Sequence, residues 1–376
     1  MKNNVRSWIA LARIPGITPS RFKFLIDAFD NPEGVLHASF NTLKSIGIKD
    51  DLINRIIANK EKAWLASEQD VNYINNNNIK VFTWDSPEYP ELLKEIHSPP
   101  PVLYCAGNLV NEDKYSLAIV GSRNTSSYGL QVTKMLAGEL SQSGLTIVSG
   151  MARGIDSIAH TAALEQGGRT IAVLGSGIDV IYPPENKQLY ERIVQQCAVI
   201  SEFPIGTPPL PHNFPVRNRL VSGLSLGVLV IEAREKSGAL ITADYALQQN
   251  REVFAVPGNM TSLSSRGSNR LIRDGAKMIE TSQDVLVELL PKLPVNRNMD
   301  VPSTHERDIE EKDILPNHLS ELERNILLTL NEGPLHIDIL AEKLDKYPHE
   351  LAQPLLKLEL TLLVRQNPGK SYEKLI

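Results

Sequence analysis

Between Ser116 and about Leu290 the chain repeats one phrase: a short apolar, β-branched run, a turn that mostly carries glycine, and then, in many repeats, about a dozen residues at helical spacing. The apolar runs are LAIVGS, LTIVSG, TIAVLGSG, AVISEF, LGVLVIEA and EVFAVPG. Strands apolar on both sides must be covered on both sides, so alternation with helices predicts a mostly parallel sheet between two helical layers. The expected fold class is α/β, a Rossmann-like doubly wound sheet. In such a sheet the loops at the carboxyl ends of the strands gather into one crevice, where ligands bind.

Those loops are rich in glycine, serine and cations. The first holds Gly121, Ser122 and Arg123, and the second Gly150, Arg153, Gly154 and Asp156. After the third come Tyr182-Pro183-Pro184-Glu185-Asn186-Lys187, and a long segment brings Phe214, Arg217, Asn218 and Arg219. Lys236-Ser237-Gly238, Gly258 and Asn269-Arg270 complete the set. Glycine and serine at strand-to-helix turns expose backbone amides at helix starts, and arginine adds bidentate phosphate recognition. The whole chain carries a formal charge of -5, yet Arg217 to Lys277 holds nine basic and five acidic residues. A polyanion site here is therefore a local feature. Arg217 and Arg219 also admit a plainer reading as buried structural ion pairs. Asp156 and His160, four apart at a helix start, suggest acid–base chemistry, but a capping role for Asp156 is the better reading.

The flanks have a different grammar. Residues 1–85 read as short helices separated by tight turns, with Phe22, Leu25, Ile26 and Phe29 on one face and Leu52, Ile53, Ile56 and Ile57 on another. The turns Ile14-Pro15-Gly16-Ile17 and Ser45-Ile46-Gly47-Ile48 resemble helix-hairpin-helix turns, whose glycine lets backbone amides face a phosphate. The plainer reading, a helical interaction domain resembling the sterile-alpha-motif type, is preferred because helix-end glycines are common for conformational reasons. The stretch from Lys80 to Leu109 is proline-rich and reads as a connector leading into a strand, the start of a central domain placed at 86–290. Residues 291–318 are polar and charged and read as a linker. From 319 to 376 three helical stretches, LLVRQ and the turn Asn367-Pro368-Gly369-Lys370 resemble a winged helix. Its third helix, PHELAQPLLKLEL, carries few basic residues for reading DNA, so a protein-binding role stands equally.

Several classes are excluded. Cys105 and Cys197 have no Cys or His neighbours, which rules out a zinc ribbon or disulfide framework and fits a reducing cytoplasm. No apolar run approaches the ~18 residues of a membrane span, and the amino-terminal stretch lacks a signal-peptide pattern. The first glycine turn, GSRNTSSYG, has arginine where a dinucleotide fingerprint needs its second glycine. No P-loop, nucleophile elbow or metal-ligand cluster occurs. No cofactor, metal or catalytic residue is expected.

Together GSR (121–123), SGMARGIDSIAH (149–160), AVLGSGIDVIYPPEN (172–186), SEFP (201–204), HNFPVRNRLVSGLS (212–225), EAREKSGALITA (232–243) and VPG…GSNRLIRDGA (256–276) resemble the DNA-processing protein A family. The resemblance extends to the lead-in at 89–104 and to both flanking domains. It implies a non-enzymatic, sequence-tolerant single-stranded DNA binder that loads the RecA recombinase during natural transformation. It also implies a homodimer, with single-strand-binding protein as a further partner. It places Arg123, Lys187, Arg217 and Arg219 on phosphates, with Gly121, Ser122 and Asn218 beside them. Gly150, Gly154, Gly258 and Asn269 would shape the pocket or donate backbone amides. Phe214 and Tyr182, next to the cations, are the stacking candidates. Two other readings stay open: a nucleotide-processing enzyme of the phosphoribohydrolase type, for which VPGNMTSLSSRGS lacks the catalytic glutamate, and a scaffold whose crevice holds a small regulatory nucleotide.

Overall fold

The computed structural model describes residues 2–293, 319–330, 333–361, 363–367 and 369–374. They form two compact units, divided near residue 300.

The first unit opens with five helices: α1 (Lys2–Ala12), α2 (Pro19–Phe29), α3 (Pro32–His37), α4 (Phe40–Ser45) and α5 (Asp50–Asn76). Thr18, Asn31 and Ser39 cap the second, third and fourth through their side chains. Gly16 and Gly47 sit in the turns at φ +89° and +87°, a conformation glycine adopts without strain. Of the expected apolar positions Phe22, Leu25, Ile53 and Ile56 are buried, whereas Ile57 is 38% exposed. Helix α5 runs 27 residues and is not short.

The Lys80–Leu109 stretch is more than a connector. It forms β1 (Lys80–Thr83), the short helix α6 (Glu91–Lys94) and β2 (Val102–Gly107). β1 pairs antiparallel with β2, and β2 antiparallel with a strand of the main sheet, extending one edge. Trp8 stacks on Phe22 at 5.2 Å, and both meet Trp84 edge-on, so the helices share a core with this edge.

The remaining elements follow in the expected alternation: β3 (Ser116–Val120), α7 (Ser127–Gln142), β4 (Thr146–Ser149), α8 (Ile155–Glu165), β5 (Thr170–Val173), α9 (Lys187–Gln196), β6 (Ala198–Ser201), α10 (Asn213–Gly223), β7 (Gly227–Val230), α11 (Gly238–Gln248), β8 (Glu252–Ala255), α12 (Arg266–Arg273), β9 (Lys277–Met278) and α13 (Ser282–Leu289). The nine-stranded sheet has the order β1-β2-β6-β5-β4-β3-β7-β8-β9, parallel from β6 to β9. Alternation along β3 divides the core: Leu117 and Ile119 face α7, α8 and α13, whereas Ala118 and Val120 face α10 and α11. From β3 the chain steps to β4 on one side, and from its neighbour β7 to β8 on the other. The β3–β7 boundary is thus the topological switch point.

The second unit holds α14 (Glu321–Thr329), β10 (Leu335–His336), α15 (Ile337–Lys343), α16 (Pro348–Leu360), β11 (Val364–Asn367) and β12 (Ser371–Lys374). Three helices against a three-stranded sheet of order β10-β12-β11 make the winged helix. On α16, Lys357 is tied to Glu323 of α14 at 2.8 Å. The linker expected at 291–318 falls, beyond residue 293, outside the described residues.

Candidate nucleic-acid interface

A cavity of about 580 Å³ opens at the carboxyl ends of the strands, across the switch point. It is lined by Gly121, Ser122 and Arg123 after β3, Gly150 and Ala152 after β4, Tyr182 after β5, and Phe214, Arg217 and Asn218 on α10. Arg234, Lys236 and Ser237 line it from the turn between β7 and α11. Neither Arg234 nor Lys236 is among the residues expected on phosphates, although Lys236 belongs to one of the expected crevice loops. Their signal was their place at the end of a strand that turns out to flank the switch point.

Arg217 is the buried anchor. It is 4% exposed, and its Nη1 donates to the carbonyls of Gly150, at 2.7 Å, and of Val173. Nε donates to Asn218 Oδ1 at 3.2 Å, and Asn218 Nδ2 reaches the Gly238 carbonyl at the start of α11. Nη2 makes no hydrogen bond among the described residues and is the donor left for a ligand. Burial pulls the guanidinium down to about 10, against the pull of Asp156, which still leaves it charged at neutral pH. Gly150 is required for this packing, because a Cβ there would lie 2.5 to 2.7 Å from the guanidinium.

Asp156 does not cap its own helix. Its carboxylate folds back to accept from the amides of Gly150 (3.1 Å) and Ala152 (3.3 Å), which uses the amide expected to face a phosphate. Burial pushes this carboxyl up, while Arg217 and the two amides hold it down. His160 lies wholly buried away from the cavity, with Nδ1 2.6 Å from Thr170 Oγ1. Thr170 Oγ1 donates to the Ile147 carbonyl, so the His160 nitrogen is the donor of that pair. Burial, reinforced by Arg217, pulls the ring down to about 3 and keeps it neutral.

Around the anchor stand exposed cations and rings. Arg123, Arg234 and Lys236 are exposed, and no ion pair among the described residues engages them. The Arg123 guanidinium lies 5.6 Å from the Phe214 ring centre, and Phe214 tilts against Tyr182 at 5.6 Å. The Arg123 loop is fixed from behind by Glu232, 2% exposed, which accepts from Thr125 Oγ1 (2.9 Å) and from the Ser126 amide and hydroxyl (3.0 and 2.5 Å). Burial alone would raise the Glu232 carboxyl, but these bonds and one from Ser264 hold it below its usual range. Gly154, at φ +73°, packs against the Ser122 and Arg123 carbonyls, leaving 2.3 Å for a Cβ.

Not every expected residue joins the cavity. Arg219 is 8% exposed and faces Glu202 in a buried ion pair, which is the plainer reading of that position. Asn269 clamps Gly258, accepting from its amide at 3.1 Å and donating to its carbonyl at 2.9 Å, so both shape a neighbouring loop. Lys187 begins α9 outside the cavity lining, exposed, with a 4.0 Å contact to Glu191.

A family model described as DNA recombination-mediator protein A matches residues 80–290. The chain belongs to this family. A second model, the DprA winged helix domain, matches residues 310–370. Among curated relatives, Protein Smf of Synechocystis is 36% identical over 98% of both chains, and DNA processing protein DprA of Bacillus subtilis is 45% identical over 56% of this chain and 71% of its own. The solved structure of DNA processing protein A from Streptococcus pneumoniae aligns with a TM-score of 0.65 at 34% identity, covering 75% of this chain and 97% of that one. A structure of the Helicobacter pylori protein, described for its single-stranded DNA binding mode, aligns at 0.52 and 33%, covering 57% and 98%. No described helix is long and apolar enough to cross a membrane.

Proposed function

We propose that this protein binds single-stranded DNA in the switch-point crevice, without marked sequence preference, and acts there as a binding protein and not as an enzyme. The observation that carries the reading is the meeting, in one cavity, of the buried Arg217 and the exposed Arg123, Arg234 and Lys236 with the rings of Phe214 and Tyr182. Cations spaced along a groove follow a phosphate backbone, and rings beside them accept unpaired bases by stacking, which every base permits. Among the described residues Asp156 is the carboxylate that lines the cavity, and it is committed to two backbone amides instead of facing a substrate. The family's description as a recombination mediator supports a further step: a homodimer that hands the bound strand to RecA in the cytoplasm, during processing of incoming DNA.

The test is fluorescence anisotropy of a labelled oligothymidine with the full chain, with Arg123→Ala beside wild type, at two salt concentrations. Binding that falls steeply with salt, is far weaker for duplex, and drops with Arg123→Ala supports the reading. Equal affinity for duplex and single strands, or release of a free base from nucleoside monophosphates, overturns it.

A further inference from the structure

We propose that Arg153 is a further DNA-binding residue held in reserve by Glu185, and that the ion pair between them is a latch opened by a DNA phosphate. The proposal rests on the crevice reading above and adds a residue to it.

The pair sits at the cavity's edge. Arg153 directly follows Ala152, and Glu185 lies shortly after Tyr182, both of which line the cavity. Arg153 Nε donates to Glu185 Oε1 and so bridges the turn after β4 to the loop after β5. The side chains are 57% and 48% exposed. An ion pair this wet contributes little to stability and is readily exchanged. Arg153 makes no other hydrogen bond among the described residues. Once Glu185 lets go, a planar fork of donors is available, a shape that matches phosphate better than a lone carboxylate oxygen.

Opening the pair does not require the two loops to part. Asn186 Nδ2 donates to the Met151 carbonyl at 2.8 Å and ties them independently, and Met151 is itself buried. On the same edge Lys187 stands exposed. With the latch open, Arg153 and Lys187 continue the row of positive charge past Tyr182, which gives the strand a path out of the cavity. Glu185 thus occupies the place of a phosphate until one arrives. A merely structural surface pair would leave DNA binding indifferent to its loss.

The experiment is a double-substitution cycle on the full chain, with labelled oligothymidine as probe and anisotropy over a range of salt. Glu185→Gln is expected to tighten binding roughly threefold to tenfold, and to steepen log affinity against log salt by ~0.7, the increment of one single-strand phosphate contact. In an Arg153→Ala background the same substitution should leave affinity unchanged, because no cation is left to release. Glu185→Gln that leaves binding unchanged or weaker overturns the latch, as does tightening that persists in full without Arg153, which would make Glu185 a plain repulsive charge. Wild type that binds no oligothymidine overturns the crevice reading and the latch together; wild type that binds beside an inert Glu185→Gln overturns the latch alone.

Discussion

Replacing Gly150 by alanine adds a single methyl group at the tightest point of the crevice. That methyl would lie 2.5 Å from Arg217 Nη2 and 2.7 Å from both Cζ and Nη1, well inside contact distance. The guanidinium cannot yield cheaply, because Nη1 holds the Gly150 and Val173 carbonyls and the side chain is buried. Hydrogen bonds to a charged group contribute about 1.5–3 kcal/mol each, so losing one and distorting the other costs about 2–4 kcal/mol. Urea unfolding followed by circular dichroism reads that loss as a lower midpoint. Oligothymidine affinity should fall about tenfold, the value of one charged contact of ~1.4 kcal/mol. The control is Arg217→Ala, which removes the obstacle: Gly150→Ala added to it should cost under ~1 kcal/mol, the strong coupling expected of touching residues. Equal cost of Gly150→Ala in both backgrounds would refute this account of the anchor.

Other outcomes follow from the same geometry. Arg219→Ala leaves Glu202 buried without its partner and should cost about 3–5 kcal/mol, a loss that Arg219→Leu with Glu202→Leu largely avoids in urea unfolding. Arg123→Ala, at an exposed position, should leave the urea midpoint within ~0.5 kcal/mol while weakening oligothymidine binding. Phe214→Leu should weaken binding by about 1–3 kcal/mol per stacked base with the salt slope unchanged, since a ring carries no counterion-releasing charge. His160 protonates at 6.5 when unfolded but only at about 3 when folded. Below 6.5 the unfolded chain therefore binds the extra proton, and stability is lost as pH falls from 6.5 toward about 3. Urea midpoints against pH should show less of that slope in His160→Gln.

The sheet was legible because each strand is short, apolar on both faces and closed by a turn, which leaves a parallel, doubly covered sheet as the consistent solution. The crevice was legible for the same reason, since strand ends are where glycine and arginine collect. The antiparallel edge was not. Pro99 to Pro101 reads as a break, and nothing local says that Val102–Gly107 pairs with Ala198–Ser201, about a hundred residues away. Arg217 and Arg219 lie two apart on one helix, so they must point to different sides of it. The family resemblance implies phosphates for both and the residues alone leave a buried ion pair open; the packing of α10 assigns one to the cavity and the other to Glu202. Asp156 was read as a cap because it stands at a helix start; its true partners, Gly150 and Ala152, precede the helix across a turn that Met151 enters at φ +60°. Lys236 lies in a loop expected at the crevice, but its place in the cavity lining depends on strand order, which no run of residues reveals.

The most direct test of the central claim asks where the strand lies. A 4-thiothymidine oligonucleotide bound to the full chain and photocrosslinked, followed by mapping of the modified peptides, should place adducts on the peptides holding Tyr182 and Phe214, reduced by excess salt and by Arg123→Ala. Adducts confined to the winged helix, with the Tyr182 and Phe214 peptides unmodified, would contradict the crevice as the DNA site.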